Sequence, residues 1–443
     1  MLVNIHKLKS WLLLLLLTLV IISPTQAQQW SLKQCIDTAQ VKNKMLQISE
    51  NNISIGEQRH KEAIAGLIPK ININGDYKYY YDLPYQLMPL STFNATAPAG
   101  QFKEAQFGVP HNMNFNVQFA MPLFNAQILG GIETTKIGTY LSKLKRQKTE
   151  EQVFFDISNL YYNAQILEKQ LAFIDSNLVN TKKLYQNMQL LKEQLMLKST
   201  DVTKVQLQEA QLYTQRKIVE SKIEQVMNAL KFSMGIPISK DIEIVPGIEF
   251  KNMSDFANST SVDIRLIETQ NRFLKSELST LKNSRLPSLS LYGMYGQTGF
   301  GYDVKPNDFL KFFPVSFVGI QLNYPLFNGT VTQRKINQKK LEISNSRLQL
   351  SLATEQNTML IENAKRTKIT AQLTVENTLA QIKLSQTVYE QTILQQKQGT
   401  ASMTEVLLAD NTLRESQQNY LSAVIDYLKA NLELKKLSGN FRN

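Results

Sequence analysis

The sequence reads MNFNVQFAMPLF over residues 113–124, and every odd position in this stretch is apolar. Asn114, Asn116 and Gln118 occupy the first even positions. An alternation with a period of two predicts a β-strand that has one apolar and one polar face. A strand of ~10 alternating residues, rich in aromatic side chains, is typical of a transmembrane β-barrel. A two-layer soluble sheet with one solvated face would alternate in the same way.

Three further segments alternate similarly, so that strands are predicted at about 70–82, 113–124, 287–299 and 315–327. The segments 83–111 and 301–314 contain prolines and glycines, as the long outer loops of barrel proteins do. Several tyrosines in the strands would suit interfacial girdles, although aromatic residues favour strands in general. These are Tyr79, Tyr80, Tyr81, Tyr292 and Tyr295.

The chain contains two copies of one pattern. The sequence VQFAMPLFN at 117–125 resembles IQLNYPLFN at 320–328, and GLIPKI at 66–71 resembles SRLPSL at 284–289. A third pair, VTKVQL at 202–207 and MTEVLL at 403–408, follows in the same order. Repeats in a fixed order indicate an internal duplication. We expect a first copy at 28–245, a linker at 246–261 and a second copy at 262–443. Each copy has the order helix, strand, strand, long helix, turn, helix.

The remaining segments predict unusually long helices. No glycine or proline occurs between Thr330 and Gln398, which predicts a helix of about 100 Å at ~1.5 Å per residue. A comparable run covers 139–234, with a turn expected near Ser199. Such lengths indicate coiled-coil packing. Apolar residues recur at seven- and four-residue steps at Leu341, Leu348, Leu352 and Met359. The weaker stripes elsewhere fit helices with two partners and one wet face, and they also fit a solvated rod.

The first residues have the features of a secretory signal peptide at 1–27. Lys7 and Lys9 precede an apolar run at 11–22, and a small-residue cleavage site ends at Ala27. The alternative is a membrane anchor, but a spanning helix needs ~20 apolar residues and this run is shorter. No later stretch is apolar enough for a transmembrane helix. An exported chain would therefore be soluble or would cross a membrane as β-strands.

The composition favours neither an enzyme nor a nucleic-acid-binding protein. The formal charge is +12, but the lysines are scattered along predicted helices, which fits a solvated helical surface. The histidines are His6, His60 and His111, and no metal-ligand spacing, nucleophile motif or phosphate loop is found. We expect no catalytic residue, metal or cofactor. The single cysteine, Cys35, excludes an intramolecular disulfide and is expected in a core.

Four strands are too few to close a barrel. Closed outer-membrane barrels start at about eight strands, and an open sheet in lipid leaves unpaired backbone groups that cost several kcal/mol each. Two chains would give eight strands with a side-chain-filled interior, whereas three would give twelve and a usable lumen. We expect a homotrimer whose long helices form a tube beneath the barrel.

Together these features resemble the TolC family of outer-membrane efflux proteins, the outer membrane factors, over nearly the whole mature chain. The residues that carry the resemblance are WSLKQCIDTA at 30–39, LIP at 67–69, PLFN at 122–125, VDIR at 262–265, LP at 286–287, PLFN at 325–328 and GTASMTEVLLA at 399–409. The resemblance implies a mainly α fold with transmembrane β: four strands per chain in a trimeric 12-stranded barrel, above a long α-helical coiled-coil barrel. It also implies an equatorial region at 237–258.

The resemblance further implies a passive duct in the bacterial outer membrane that extends into the periplasm. It would be surrounded by outer-membrane lipid. A periplasmic adaptor (membrane fusion protein) and an inner-membrane pump of the RND, ABC or MFS type would open it, in a tripartite efflux or type I secretion system. No nucleic-acid partner is expected. The alternative is a periplasmic coiled-coil scaffold or adaptor protein.

By the same resemblance, residues near the second turn, at about 398–404, would constrict the tube. The candidates are Glu405, Lys204, Leu408 and Gln396. Three copies of Glu405 around a threefold axis would repel one another and attract cations, although Ser402 and Glu405 are also spaced as a capping box. Leu408 takes the place of a second acid that is frequent in the family. The opposite charges suggest that Lys204 and Glu405 pair between neighbouring helices and hold the tip closed.

Adaptors in this family dock near the same turns, and the first turn is expected at about 197–203. The docking candidates are Lys198, Ser199, Thr200, Gly399, Thr400 and Ser402. Ordinary turn chemistry would select the same residues, because glycine permits positive φ and hydroxyls cap helices. In the alignment of the two copies Lys198 stands opposite Gly399, so the two docking grooves should differ.

Overall fold

The computed structural model describes residues 29–195, 197–248, 260–302 and 311–439, and it is mainly helical. The predicted signal peptide and the part of the equatorial segment from residue 249 to 258 lie outside these ranges. The helices are α1 (Leu32–Lys42), α2 (Lys44–Ala65), α3 (Ala126–Glu193), α4 (Ser199–Met234), α5 (Val262–Asn283), α6 (Val331–Lys397) and α7 (Met403–Leu437). The strands are β1 (Gln29–Trp30), β2 (Lys70–Tyr79), β3 (Tyr85–Pro89), β4 (Phe102–Gln106), β5 (His111–Phe124), β6 (Glu243–Ile244), β7 (Ser288–Gly301) and β8 (Lys311–Asn323).

Two helices are several times longer than those of ordinary globular proteins. Helix α3 has 68 residues and α6 has 67. Helix α6 fills the stretch that lacks glycine and proline, and it ends just before Gly399, which adopts a left-handed φ of 75°. Within the described ranges, no helix combines the length and the apolar character needed to span a membrane.

Four strands form one antiparallel sheet in the order β2-β5-β7-β8. Its register explains the alternation in the sequence, because opposed residues share a face of the sheet. One cross-strand row contains Ile71, Phe119, Gly293 and Val318, and the next row on the same face contains Ile73, Val117, Tyr295 and Ser316. On β2 and β5 the opposite face is polar, with Asn74 paired to Asn116 and Asp76 paired to Asn114.

The strand ends differ from the sequence-based prediction. Strand β2 stops at Tyr79 rather than at 82, and β8 stops at Asn323 rather than at 327, whereas the inner strands β5 and β7 are longer than predicted. The predicted loop at 83–111 contains a hairpin, β3–β4. Pro122 lies in the inner strand β5, where a register shift between Pro122 and Phe124 accommodates a residue that has no N–H to donate.

The chain divides into two compact units. The strand unit comprises Asn52–Lys143 and Ile267–Gln349, that is, the sheet and the helix segments nearest to it. Its helices are joined by polar contacts: the hydroxyls of Thr134 and Ser276 lie 2.7 Å apart, and Lys339 Nζ donates to Glu277 Oε2 at 3.0 Å. Ile53, Leu141, Ile336 and Ile343 are buried between these helices.

The helical unit comprises the rest of the described chain and contains the larger hydrophobic clusters. Cys35 is fully buried there, as predicted, and burial raises the pKa of its thiol to about 12. Gly235 ends α4 with a φ of 74°, and a Cβ at this position would lie 2.2 Å from the Lys42 carbonyl oxygen. Only glycine fits this close approach of two chain segments.

The stripe predicted on α6 is exposed. Leu341, Leu348, Leu352 and Met359 each keep more than half of their surface accessible. The single chain therefore does not supply the packing that these residues require for coiled-coil contact.

Candidate functional site: the paired helix turns

Two turns lie together at one end of α3, α4, α6 and α7, here called the tip. They are the segment 194–198 between α3 and α4, and the segment 398–402 between α6 and α7. A buried apolar cluster, the tip cluster, takes residues from all four helices, and Leu197 of the first turn packs against it. The tip cluster consists of Met188, Val202, Val205, Tyr389, Met403, Val406, Ala409 and Leu413. The candidate residues of both turns are thereby brought to one end of the helical unit.

The second turn is a tight, exposed reversal. Thr400 donates its N–H to the Gln395 carbonyl oxygen at 2.9 Å, and its hydroxyl donates to the same oxygen at 3.0 Å. Gly399 has no heavy atom within 4 Å of the position that a Cβ would occupy. Glycine is therefore favoured here by the left-handed backbone rather than by crowding.

Ser402 and Glu405 form a complete capping box at the start of α7. The Ser402 N–H donates to Glu405 Oε2 at 2.6 Å, and the Glu405 N–H donates to Ser402 Oγ at 3.3 Å. This arrangement satisfies two backbone donors at the helix terminus. The side chain of Glu405 remains exposed, so its charge faces solvent while one oxygen serves the cap.

The first turn is capped differently. Lys198 is the N-cap of α4, and its side chain makes no capping hydrogen bond. Lys204 Nζ lies 3.4 Å from Asp201 Oδ1. The hypothesised ion pair between Lys204 and Glu405 is therefore not formed within this chain as the structure describes it, because each side chain is engaged with a residue three positions away. Ser199 and Thr200 lie exposed in the first turn of α4.

The backbone conformations of the two turns correspond to each other differently from the sequence alignment of the two copies. Leu195, not Lys198, occupies the left-handed conformation in the first turn, with φ of 60° against 75° at Gly399. Lys198 instead corresponds to Ser402, because both are N-caps. A left-handed conformation costs a leucine about 1–2 kcal/mol. Leu195 is also 94% exposed, and sequence reasoning did not identify it because leucine does not signal such a turn.

Each of the four helices carries an exposed leucine near the tip. They are Leu190, Leu207, Leu394 and Leu408. Gln396 is half-buried beside the second turn. The tip thus presents apolar side chains together with Glu405, rather than a purely acidic surface.

A buried polar network lies next to the tip cluster, and the sequence analysis missed it. Asp410 is ion-paired with Arg414 and accepts a hydrogen bond from the Gln208 side chain. Arg414 also donates to Thr181 Oγ1 at 3.3 Å. The network therefore joins α3, α4 and α7. Asp410 and Arg414 are four residues apart on a helix, a spacing that on sequence alone indicates a solvated surface pair.

Burial governs the proton affinities in this network. Desolvation raises the pKa of Asp410, against the opposing effect of Arg414 and Gln208, and it lowers the pKa of Arg414. Tyr389 packs beside the pair, and burial together with the Asp410 charge raises its pKa to about 12. The pair is thus held in a site where neither charge is well solvated.

Removing one partner of the Asp410–Arg414 pair should lower the stability of the fold. We expect Arg414→Met to lower the free energy of unfolding by about 3–5 kcal/mol, because it leaves a buried carboxylate without its cation. A carboxyl whose folded pKa is raised stabilises the fold in acid, and this contribution is lost as the pH rises through that pKa. The loss of thermal stability should therefore be smaller at about pH 5 than at about pH 8.

The double variant Asp410→Leu/Arg414→Met is the matched control. It removes both charges and should recover most of the lost stability. A double variant as unstable as Arg414→Met would contradict a destabilising role for the isolated carboxylate.

Within the described ranges, no group of three or more His, Cys, Asp or Glu side chains is arranged to hold a metal ion.

No protein-family model matches the sequence, and no curated protein sequence matches it. Solved structures do match. The chain is similar to the outer-membrane protein VceC of Vibrio cholerae, with 13% identity, a TM-score of 0.73, and 92% of this chain and 96% of that chain covered.

Two further matches are similar in extent. The Campylobacter jejuni outer-membrane channel CmeC is 14% identical with a TM-score of 0.75, over 92% of this chain and 85% of that chain. The open state of the Neisseria gonorrhoeae outer-membrane channel MtrE is 16% identical with a TM-score of 0.73, over 93% of this chain and 89% of that chain. The resemblance predicted from the sequence is confirmed at the level of the fold: this chain has the fold of the outer membrane factor channels.

Proposed function

We propose that this chain is one subunit of a homotrimeric exit duct in the bacterial outer membrane, extending into the periplasm. It conducts solutes passively and is opened by a periplasmic adaptor and an inner-membrane pump, in tripartite efflux or type I secretion. The observation that carries the proposal is the sheet β2-β5-β7-β8, which has an apolar face and two open edges.

The apolar face of the sheet is largely exposed in the single chain. Exposed large side chains on this face include Ile71, Ile73, Phe115, Tyr295, Val318 and Ile320. A soluble monomer rarely exposes a contiguous apolar surface of this kind, which marks a membrane or protein interface. The asparagine-rich face of β2 and β5 suits the polar interior of a channel.

The edges of the sheet favour assembly in the membrane. Among the described residues, β2 pairs only with β5 and β8 pairs only with β7, so one side of each edge strand is open. In lipid each unsatisfied backbone group costs several kcal/mol, because no water replaces the missing partner. Closure with other copies removes this cost, and three copies of four strands give a barrel with a lumen.

The exposed stripe on α6 supports the same assembly. Leu341, Leu348, Leu352 and Met359 need apolar partners, and neighbouring subunits of a helical tube would supply them. The fold shared with VceC, CmeC and MtrE supports the outer-membrane location, since each of these proteins is described as an outer-membrane protein or channel.

Cell fractionation tests the proposal. We expect the protein in the outer-membrane fraction as SDS-resistant trimers that dissociate on boiling, because the closed barrel satisfies every edge strand. Purified trimers should form pores in planar lipid bilayers. A detergent-free, monodisperse monomer in the periplasmic fraction would instead favour the coiled-coil scaffold.

The role of Glu405 at the tip can be separated from its capping role. Glutamine retains the capping box but removes the charge, so Glu405→Gln should keep the thermal stability of the trimer. If three Glu405 carboxylates ring the tip, the variant should lower the cation preference of the pore in bilayer reversal potentials. Ser402→Ala is the control: it removes the cap, should cost about 1 kcal/mol, and should leave the selectivity unchanged. Unchanged selectivity in Glu405→Gln would contradict the acidic ring.

Adaptor docking at the second turn has a test of its own. Space is open around Gly399, so Gly399→Trp should project a large ring from the turn and block docking without a clash inside the subunit. We expect wild-type trimer yield but loss of resistance to a panel of antibiotics and detergents. Gly399→Ala is the matched control, because alanine also places a Cβ at a left-handed φ but adds only a methyl group. Normal resistance in Gly399→Trp would remove this assignment.

A further inference from the structure

The strand pairs β2–β5 and β7–β8 have the same register when the two copies of the repeat are aligned at their equivalent prolines. Pro287 follows Pro69 by 218 positions, and Pro325 follows Pro122 by 203 positions. Adding these offsets to the β2–β5 pair Ile73↔Val117 gives Leu291↔Ile320, and this is a pair in β7–β8. The same holds for Lys70↔Ala120, which becomes Ser288↔Asn323.

The pairing of β5 with β7 joins the first copy to the second, and its equivalent would join the second copy to the first copy of another chain. We propose, resting on the proposed trimer, that β8 pairs with β2 of the partner subunit in the register that β5–β7 dictates. The pair Val117↔Tyr295 becomes Ile320 opposite Tyr77 of the partner subunit. A single chain cannot make this pairing itself, because four strands do not close a barrel.

The proposed register pairs exposed apolar side chains with one another. Met121↔Leu291 becomes Tyr324 opposite Ile73 of the partner, and Phe124↔Leu289 becomes Phe327 opposite Ile71 of the partner. Phe327 is 82% exposed and Ile71 is 69% exposed in the single chain. In the assembly the two side chains would contact each other across the strand pair.

The same pairing accounts for the early end of β8. Strand β5 continues to Phe124, where β7 pairs with it, but β8 stops at Asn323, before its equivalent of that segment. Residues 324–327 have no strand neighbour in the single chain as described. Pairing with β2 of the partner would extend β8 through Phe327, because backbone ladder bonds define a strand.

The contacts between helices beside the sheet, converted with the same offsets, predict contact with the same partner subunit. Gly138 of α3 faces Phe273 of α5, and the offsets convert this contact into Leu341 against Ile55 of the partner. Leu341 is 67% exposed and Ile55 is 47% exposed. A small–large pair is thus replaced by two side chains of intermediate size. The hydroxyl pair Thr134–Ser276 becomes Asn337 and Gln58 of the partner subunit, whose side-chain amides can hydrogen-bond to each other.

The occupant of this surface is therefore a second copy of the same chain. In the pairs named above, apolar residues meet apolar residues and one amide meets another, under two offsets fixed elsewhere in the sequence. Another protein or a lipid would have no reason to match these offsets.

Cysteine cross-linking tests the register. In a Cys35→Ala background, Ile320→Cys/Tyr77→Cys should give covalent trimers on mild oxidation, resolved by non-reducing electrophoresis after boiling. Directly opposite residues of an antiparallel pair have Cα atoms ~4.5–5.5 Å apart, within the Cα range that a disulfide spans. Gln321→Cys/Asp76→Cys tests the adjacent pair, and Leu341→Cys/Ile55→Cys tests the helices. Ile320→Cys/Tyr79→Cys is the matched control, displaced by two residues, and should cross-link about tenfold less.

The outcomes separate the register from the proposed function. SDS-resistant trimers with cross-links in the Ile320/Tyr77 or Gln321/Asp76 pair, and few in the displaced pair, support the register. Trimers that cross-link only in the displaced pair, or in none of these pairs, overturn the register and leave the trimeric duct intact. Absence of trimers in the parent protein before any cysteine is introduced would overturn the proposed function as well.

Discussion

A sheet edge in lipid must find hydrogen-bond partners, because hydrocarbon offers none to an unpaired N–H or C=O group. In the proposed duct this constraint acts on β2 and β8, whose outer sides have no neighbouring strand in the described chain. The inner strands β5 and β7 pair along both sides and run longer, while β8 ends before its equivalent segment in β5. If the chain forms the proposed trimer, the open strand edges mark where other copies pair with the sheet, and the exposed stripe of α6 marks where they pack against the helices.

The tip combines rigid and adaptable parts. The tip cluster and the buried Asp410–Arg414 pair tie four helices together, so the two turns project from a fixed base. Both turns are short, and the described residues of each include one exposed residue with a left-handed backbone, Leu195 or Gly399. A rigid base that presents exposed turns is well suited to recognition by a partner, because little conformational entropy is lost when the partner binds.

The sequence predicted the strands and long helices because each depends on a local pattern: an alternation with a period of two, or a long run without glycine and proline. The ends of the strands were less predictable because they depend on where a neighbouring strand is available for pairing. The end of β8 at Asn323 is an example. The hairpin β3–β4 was not predicted because it lies in a segment that contains several prolines. At the tip, the capping box of Ser402 and Glu405 was readable from spacing alone. The burial of Asp410 was not, because an i,i+4 ion pair looks the same on a solvated helix.

The low identity to VceC, CmeC and MtrE follows from what this fold demands of a sequence. Strands need only alternation, long helices need only the absence of breakers, and turns need a few residues with special backbone preferences. Most positions are then free to change, and the tip is where such change would alter function in the proposed duct. Leu408 is exposed one helical turn from Glu405, so in the proposed trimer three copies of Leu408 would form an apolar ring at the level where a second acidic ring is expected from the family resemblance. Electrostatic repulsion between the subunits would then be weaker there, and apolar contact would help to hold the closed tip together.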